Sequence, residues 1–386
     1  MNTKLAVLVV VLLAGLALAP LAAGQLAVSA NDNKVVLVNG TMKVVPNPPP
    51  DTLAIIDLKA SPPKIIAEVQ VPVSLSGPPT SVALTPDEGL ALVTAAMKID
   101  PQDPTKTTPD TRLSVIDLKA SPPRVIATLE AGRQPSSVSI NRQGTLALVA
   151  NRADGTVSVF TIQGKTVAPA GTVELGGPKA GAGAVAFTPD GKTALVSRER
   201  DHRISVLSIE GTNVEYTKRD MTAGVGPIAL DIAPSGAWAV VANLGHGTDD
   251  NDTVSLVDLR ARPPRVVDTI TVGPVPEGVE ISPDGSIIAV VLHNGSNRPK
   301  ESPFFNDAGK LVLLRVNGTA LAKVAEAPIG HWSQGAAFSA DGRTILVGNM
   351  VEKDYWVFDW NGTTLRDTRV RIAVKGGAAA IRTADR

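Results

Sequence analysis

The sequence predicts an all-β protein, a seven-bladed β-propeller of four-stranded antiparallel blades. Three observations lead to this fold. A self-similar unit of roughly 45 to 57 residues recurs along the chain, as in repeat proteins. Within each unit, apolar and polar residues alternate with the period of a half-buried strand. Turn sequences such as Pro189-Asp190-Gly191 and Pro283-Asp284-Gly285 separate the strands, because they combine a preset φ, a capping carboxylate and a glycine.

Each predicted blade begins just after a glycine, with an innermost strand, a tight turn, a second strand and a further hairpin. The seven glycines are Gly77, Gly132, Gly176, Gly224, Gly273, Gly330 and Gly376. The first blade lacks an innermost strand of its own, because the segment that begins at Leu26 reads as a second strand. We expect the C-terminal segment 377–382 to supply it and to close the ring without an unpaired edge.

The first 24 residues read as a secretory signal peptide. Lys4 precedes an apolar run over residues 5–19, and small residues follow Pro20. This run is shorter than the roughly 20 residues that a membrane span needs. We therefore expect residues 25–386 to form a single propeller domain, without a membrane span after cleavage, in the periplasm of a bacterium or outside the cell.

Composition narrows the function classes. The chain has no cysteine, so it can form neither disulfides nor thiolate metal sites. Its formal net charge is zero and only 3% of its residues are aromatic, which argues against a nucleic-acid partner. The sequence does not indicate whether a cofactor is bound, so the cofactor stays unknown at this point.

The ends of the predicted second strands carry a recurring asparagine. The asparagine column, as we call it, contains Asn31, Asn151, Asn243 and Asn349, while Ala95, Arg198 and His293 are aligned with it in the other blades. An asparagine at a strand end commonly caps a turn, so a structural role is expected. Following Ser-Pro-Asp-Gly, the pattern resembles the YVTN family of β-propeller repeats over essentially the whole mature chain, although the family tyrosine is replaced by Leu, Val or Ala. The resemblance implies an exported seven-bladed propeller related to the propeller lactonase superfamily.

The strand order of a blade places the second-to-third strand loops and the inter-blade loops on one face of the ring, which we call the funnel face. Most of the unusual residues of the chain are predicted there, including its four histidines. The candidate binding residues are Arg133, Arg198, Arg200, Glu277, His293, His331 and Gln334. The metal candidates are His246, His293 and His331, although no closely spaced histidine pair supports them.

Two insertions on the same face are expected to be functional loops without secondary structure. One covers residues 97–111 and the other residues 294–306. Phe304 and Phe305 in the second insertion either cover the funnel or pack their own loop down.

Two functions remain open at this point. The first is a non-catalytic propeller that binds a small anionic ligand or a protein partner of the cell envelope, with arginines as donors. The alternative is a lactonase-like hydrolase for a sugar-type lactone, with Glu277 or His293 as base, Arg198 as oxyanion stabiliser and metal assistance as an option. The sequence does not decide whether the protein is an enzyme, and it indicates neither the partner nor the oligomeric state.

Overall fold

A computed structural model describes residues 25–248 and 250–385 of the chain. The predicted signal peptide therefore lies outside the described residues. No helix in the described part is both long enough and apolar enough to cross a membrane.

Seven four-stranded antiparallel sheets form the blades of a propeller, as predicted. The strands of the first two blades and their insertions are β1 (Leu26–Asp32), β2 (Val35–Val38), β3 (Thr41–Val44), β4 (Thr52–Asp57), β5 (Lys64–Gln70), β6 (Val82–Leu84), β7 (Leu90–Thr94), β8 (Met97–Ile99), β9 (Thr107–Pro109), β10 (Arg112–Asp117) and β11 (Arg124–Glu130).

The third and fourth blades follow the simple four-strand order, with a short 3₁₀-helix at Gly177–Lys179 between them. Their strands are β12 (Pro135–Ile140), β13 (Leu146–Asn151), β14 (Thr156–Gln163), β15 (Thr166–Glu174), β16 (Ala182–Phe187), β17 (Thr193–Arg198), β18 (Arg203–Glu210) and β19 (Asn213–Thr222).

The remaining blades have the same order, and one last strand follows them. Their strands are β20 (Pro227–Ile232), β21 (Trp238–Asn243), β22 (Asp252–Asp258), β23 (Arg265–Gly273), β24 (Pro276–Ile281), β25 (Ile288–Leu292), β26 (Gly309–Asn317), β27 (Ala320–Ile329), β28 (Ser333–Phe338), β29 (Thr344–Asn349), β30 (Asp354–Trp360), β31 (Leu365–Ala373) and β32 (Gly377–Thr383).

The ring closes through its two ends. Strand β32 pairs antiparallel with β1, from Ala27 opposite Thr383 to Asp32 opposite Gly377, and the sheet order of the first blade is β32-β1-β4-β5. The C-terminal segment thus supplies the missing innermost strand, which confirms the predicted closure and leaves no free edge there.

The apolar core is divided among the blade interfaces. One buried cluster joins Val240 and Val254 of the fifth blade to Val279 and Val290 of the sixth, and other clusters join each of the remaining neighbouring pairs. Each blade therefore buries its two sheet surfaces against its neighbours, and the ring is stabilised by stacking, as in other repeat architectures.

Two-stranded ribbons project from the second-to-third strand loops of the first two blades. The insertion at residues 97–111 contains the ribbon β8–β9, so the expectation of a loop without secondary structure was wrong there. Thr107, Thr108 and Pro109 of β9 pair with the three residues of β8, so the threonines and the proline of this insertion still allow a short strand pair. The ribbon β2–β3 packs Val35 and Leu37 against Trp332 and Met350 on the funnel face.

Candidate functional site

The glycine that precedes an innermost strand lies against an asparagine of the asparagine column. A Cβ added at Gly132 would lie 2.7 Å from the side chain of Asn151, and one at Gly224 would lie 2.5 Å from that of Asn243. The Asn151 amide donates to the hydroxyls of Thr156 and Ser158, both at 2.9 Å. These asparagines tie the inter-blade loop to the third strand, in keeping with a structural role.

Arg198 takes the asparagine position in the fourth blade. Its guanidinium donates to Ser205 Oγ, the counterpart of Ser158, at 3.3 Å, and to Tyr216 Oη at 3.0 Å. It also pairs with Asp201 and Asp220. The side chain is buried and fully engaged within its own blade, so it stabilises the blade and lies apart from the other candidate residues.

His293 does not belong to the asparagine column. Pro276 at the start of β24 pairs with Leu292, in the way that Pro135 pairs with Asn151. The aligned residue is therefore Leu292, and the sequence alignment was wrong by one position. Because side chains alternate along a strand, a shift of one residue turns His293 toward the opposite side from the column.

The opening of the central channel on the funnel face is called the funnel mouth below. The residues that directly follow the asparagine column surround it. In the third, fourth and sixth blades they are Arg152, Glu199 and His293. Arg152 and Glu199 form a bidentate ion pair, with Nε to Oε2 at 2.7 Å and Nη2 to Oε1 at 2.6 Å. Neither Arg152 nor Glu199 was among the candidate binding residues predicted from the sequence, although their position directly after the column was the available signal.

Glu277 and Gln334 occupy one structural position in two adjacent blades. Each is the second residue of an innermost strand, where the register shifts between Pro276 and Gly278 and between Ser333 and Ala336. Such bulges redirect a side chain and are frequent next to active sites. Here they bring both side chains to the end of β25, beside His293.

Glu277, His293 and Gln334 form the cluster on which the functional argument rests, which we call the Glu277 cluster. The distance from Glu277 Oε2 to His293 Nε2 is 3.9 Å, and that from Gln334 Nε2 to His293 Nε2 is 3.2 Å. The three residues are 8%, 5% and 1% exposed. His293 Nδ1 and Gln334 Oε1 have no hydrogen-bond partner among the described residues.

Burial perturbs both titratable groups of the cluster. Desolvation raises the pKa of Glu277 from 4.5 to about 8, with a further increase from Glu199 and an opposing decrease from Arg152. Desolvation also lowers the pKa of His293 from 6.5 to about 3, and the charge of Arg298 acts in the same direction. At neutral pH the imidazole is therefore neutral and Glu277 is largely protonated, since the Glu277 carboxyl loses its proton near pH 8.

The backbone that leads into β24 is strained. Val275 has a φ of 56°, a left-handed conformation that is rare for a β-branched residue. Its N–H donates to Asp252 Oδ2 at 3.0 Å, and its carbonyl accepts the His293 N–H at 3.0 Å. The contacts hold this conformation two residues before Glu277, and local strain of this kind is typical of functional sites.

The remaining candidate residues have partners of their own. Arg133 pairs with Asp154, with Nε to Oδ1 at 2.7 Å, and exposed Arg200 donates to the Pro178 carbonyl at 2.8 Å. His331 lies between Glu352, with Nδ1 to Oε1 at 2.6 Å, and Asp307. Burial lowers the pKa of His331, but hydrogen bonds to Glu352 and Asp307 outweigh it and leave the pKa raised.

The three metal candidates are not brought together. His246 is exposed and stacks edge-to-face on His202, with ring centroids 6.2 Å apart, while His293 and His331 have the separate surroundings given above. Within residues 25–248 and 250–385, no group of three or more His, Asp or Glu side chains has a metal-binding arrangement.

The funnel mouth is covered on one side. Trp332 is 8% exposed, and its backbone N–H donates to Ser296 Oγ at 3.0 Å, which joins it to the insertion at residues 294–306. The turn of the β2–β3 ribbon reaches the same insertion, with Asn39 Nδ2 to Glu301 Oε2 at 3.2 Å. Phe304 is 53% exposed, so this ring does not cover the funnel in the structure.

A second polar cluster lies at the opposite mouth of the ring and was not anticipated from the sequence. Arg382 on the closing strand β32 meets Glu280 with Nη1 to Oε2 at 3.0 Å, and Asp231 and Asp385 at 3.6 and 3.4 Å. We call these four residues the Arg382 cluster. The carboxylates of this cluster line a cavity of about 180 Å³ together with turns of the third to seventh blades.

Comparisons with known proteins support the fold. No protein-family model matches the chain, and no curated protein matches it. A candidate 6-phosphogluconolactonase from Bacteroides uniformis is 19% identical and superposes with a TM-score of 0.71, covering 94% of this chain and 100% of the other. The periplasmic gluconolactonase PpgL of Pseudomonas aeruginosa is 16% identical, with a TM-score of 0.67 and coverage of 94% and 99%.

A hydrazine synthase of Kuenenia stuttgartiensis has the same fold, at 20% identity and a TM-score of 0.62, covering 81% of this chain and 91% of the other. At these identities the likeness concerns the fold alone, and this fold carries different activities in different proteins. Function therefore has to be argued from the site.

Proposed function

We propose that this protein is a lactonase-like hydrolase that acts on a neutral sugar-type lactone at the funnel mouth, with Glu277 as general base. The observation that carries the proposal is the buried Glu277 carboxyl, whose pKa is raised to about 8 by desolvation. A general base works best when its pKa lies near the operating pH. The solved gluconolactonase-type propellers that share the fold add support to this reading.

The chemistry needs few groups. Ionised Glu277 takes a proton from a water molecule, and the water oxygen bonds to the lactone carbonyl carbon. The ring C–O bond then breaks, and the ring oxygen takes the proton back from Glu277, which gives an open hydroxy acid and regenerates the base. Neutral His293 would donate Nδ1–H to the carbonyl oxygen as negative charge develops on it.

The charges around the cluster favour an uncharged substrate. Arg152 is the arginine whose charge lowers the pKa of Glu277, and it is already paired with Glu199. Arg133 and Arg198 are paired with aspartates as well. A phosphorylated lactone would bring its negative charge next to Glu277 and Glu199, and the repulsion between like charges disfavours it.

Binding without chemistry is the second candidate function, and the burial of the cluster favours it. None of the three residues is more than 8% exposed, and Trp332 lies over one side. Turnover would require the insertion at residues 294–306 to open, whereas a binding protein could hold its ligand elsewhere on the funnel face. The paired arginines argue against a small anionic ligand in that case too.

Turnover assays on residues 25–386 test the proposal. We expect acid release from glucono-δ-lactone and galactono-γ-lactone, at least tenfold faster than from 6-phosphogluconolactone, with a rate that rises up to about pH 8. Glu277→Gln should lower kcat at least about 100-fold. Glu326→Gln, at an exposed pair on an outer strand, is the matched control.

The outcomes separate the candidates. If no lactone is hydrolysed faster than in the Glu277→Gln blank, but one of them raises the Tm, the protein binds without chemistry. If lactones neither react nor stabilise the fold, both forms of small-molecule function at this site are wrong. Export to the periplasm or the medium stays a prediction from the leader sequence.

A further inference from the structure

The amide of Gln334 has an orientation that the surrounding atoms determine. Gln334 Nε2 is 3.2 Å from the Trp332 carbonyl oxygen and 3.2 Å from His293 Nε2. A carbonyl oxygen can only accept hydrogen bonds. The nitrogen of the amide, and not its oxygen, must therefore face Trp332, which removes the usual ambiguity between the two amide atoms.

The same orientation fixes the proton of His293. One N–H of the Gln334 amide is used by Trp332, and the other points at His293 Nε2. Two donors cannot share this contact, so Nε2 must be the acceptor. A neutral imidazole whose Nε2 accepts carries its proton on Nδ1.

This proton placement affects Glu277. The Glu277 carboxylate is 3.9 Å from His293 Nε2. If Nε2 carried the proton, this N–H would be the one that faces the carboxylate. We propose that Gln334 is a positioning residue: it holds His293 as the Nδ1–H tautomer and so denies Glu277 a hydrogen bond from the imidazole. Glu277 then keeps its lone pairs for water, and Nδ1–H is left for the substrate. The kinetic part of this inference rests on the proposed function, while the tautomer itself does not.

Other charged groups act on the pair and do not change this argument. Glu199 and Arg152, from the neighbouring second-to-third strand loops, face Glu277 with opposite effects on its pKa. Arg298 lowers the pKa of His293 from the insertion of its own blade, and the backbone of Ser333 raises it. No described group lies in hydrogen-bonding geometry with Nδ1.

Two unsatisfied atoms of opposite kind remain at the cluster. His293 Nδ1 is then a donor and Gln334 Oε1 an acceptor, and both are buried without a partner. Leaving buried polar groups unpaired costs about 1–3 kcal/mol for each group. A bound lactone, with its carbonyl and hydroxyl groups, offers both an acceptor and a donor.

The tautomer can be read directly from the nitrogen resonances of histidine. The chain has four histidines, so uniform ¹⁵N-histidine labelling and long-range ¹H–¹⁵N spectra resolve each ring, with His293→Asn for assignment. We expect His293 in the wild type to be neutral and protonated on Nδ1 from pH 5 to pH 9. A wild-type His293 protonated on Nε2, or charged in this range, would overturn the inference even if no variant folds.

Variants then test the role of the amide. Gln334→Leu should move the His293 proton to Nε2 in at least part of the molecules. Gln134→Leu is the control, because it removes another amide of the funnel face, one that is half-buried and donates to Ser76 Oγ. This variant should leave the His293 tautomer unchanged. An unchanged Nδ1–H tautomer in folded Gln334→Leu means that the amide does not hold it, and the inference fails.

The pH dependence of turnover separates positioning from simple structural support. In Gln334→Leu, a hydrogen bond from His293 to Glu277 should shift the acid limb of the kcat profile to lower pH by about one unit. A loss of rate with an unshifted limb contradicts the positioning role. If the wild type hydrolyses no lactone, the proposed function fails, whereas the spectra still decide the tautomer.

Discussion

The two mouths of the ring place buried carboxylates in contrasting surroundings, on one and the same strand. Glu277 and Glu280 both belong to β24, and they lie at opposite ends of it. Glu280 meets the Arg382 guanidinium at 3.0 Å. Glu277 has the neutral imidazole of His293 at 3.9 Å instead, and no ion pair with a lysine or arginine among the described residues.

The comparison teaches that burial alone does not identify a functional carboxylate. At the opposite mouth, burial lowers the pKa of Arg382, but Glu280, Asp231 and Asp385 outweigh it and leave the pKa raised. The ion pairs link the closing strand β32 to the innermost strands of the fifth and sixth blades. At the funnel mouth no lysine or arginine among the described residues contacts Glu277, so burial keeps its carboxyl protonated until about pH 8. Desolvation also raises the pKa of Glu280 and of Asp231, but these carboxylates share Arg382. Glu277 has no such partner among the described residues, and this difference is why the chemistry is proposed for the Glu277 cluster.

The largest expected effect comes from removing the cation of the Arg382 cluster. Arg382→Met leaves the two buried carboxylates Glu280 and Asp231 without their partner, which should lower the free energy of unfolding by about 3–5 kcal/mol. Urea unfolding at pH 7 measures this change. Arg366→Met, at an exposed pair with Asp359, should cost less than about 1 kcal/mol. Equal losses in the two variants would remove the contrast between the mouths.

The second prediction concerns the pH dependence of stability at the funnel mouth. The pKa of Glu277 is about 8 in the folded protein and near 4.5 when unfolded. Between these values the folded chain holds the proton more tightly, so its contribution to stability is complete below about pH 4.5 and is lost as the pH rises to 8.

Glu277→Gln should abolish this loss, because the neutral amide does not ionise. Relative to the wild type, the variant should gain about 4 kcal/mol in unfolding free energy from pH 5 to pH 9, since one pKa unit corresponds to about 1.4 kcal/mol. Urea titrations at several pH values check this. Parallel stability curves for the two proteins would mean that the Glu277 carboxyl is not perturbed.

The smallest effect is expected at Arg198, which distinguishes a buried arginine of the blade from a ligand-binding one. Arg198→Met removes hydrogen bonds to Asp201, Asp220 and Tyr216, which should lower the unfolding free energy by about 2 kcal/mol. Turnover and ligand-induced shifts of Tm should stay unchanged. A specific loss of ligand affinity without loss of stability would return Arg198 to the funnel site.

Much of the fold followed from local patterns in the sequence. The alternation of residues, the Pro-Asp-Gly turns and the glycines before each innermost strand require only neighbouring residues, and these features predicted seven blades and the closure by residues 377–382. The insertion at 97–111 was harder to predict, because the ribbon β8–β9 is short and its residues are typical of turns.

The candidate site followed only partly. Glu277, His293 and Gln334 were all selected, since they are unusual residues in loops of one face. Their convergence was not predictable, because it depends on bulges at Glu277 and Gln334 and on a one-residue difference in the register of β25. The sequence placed Arg198 with them for the same reason, whereas its guanidinium turns into its own blade.

The sequence by itself determined the repeat, the strand order and the face on which polar loops gather, because these follow from short-range periodicity and turn chemistry. Only the tertiary structure decided which carboxylate obtains a cation. Arg382 is separated by about a hundred positions from Glu280 along the chain, yet the ring closure brings the two into contact. Electrostatic compensation depends on distances of a few ångströms between distant segments, and this is why the contrast between Glu277 and Glu280 appears only in the folded ring.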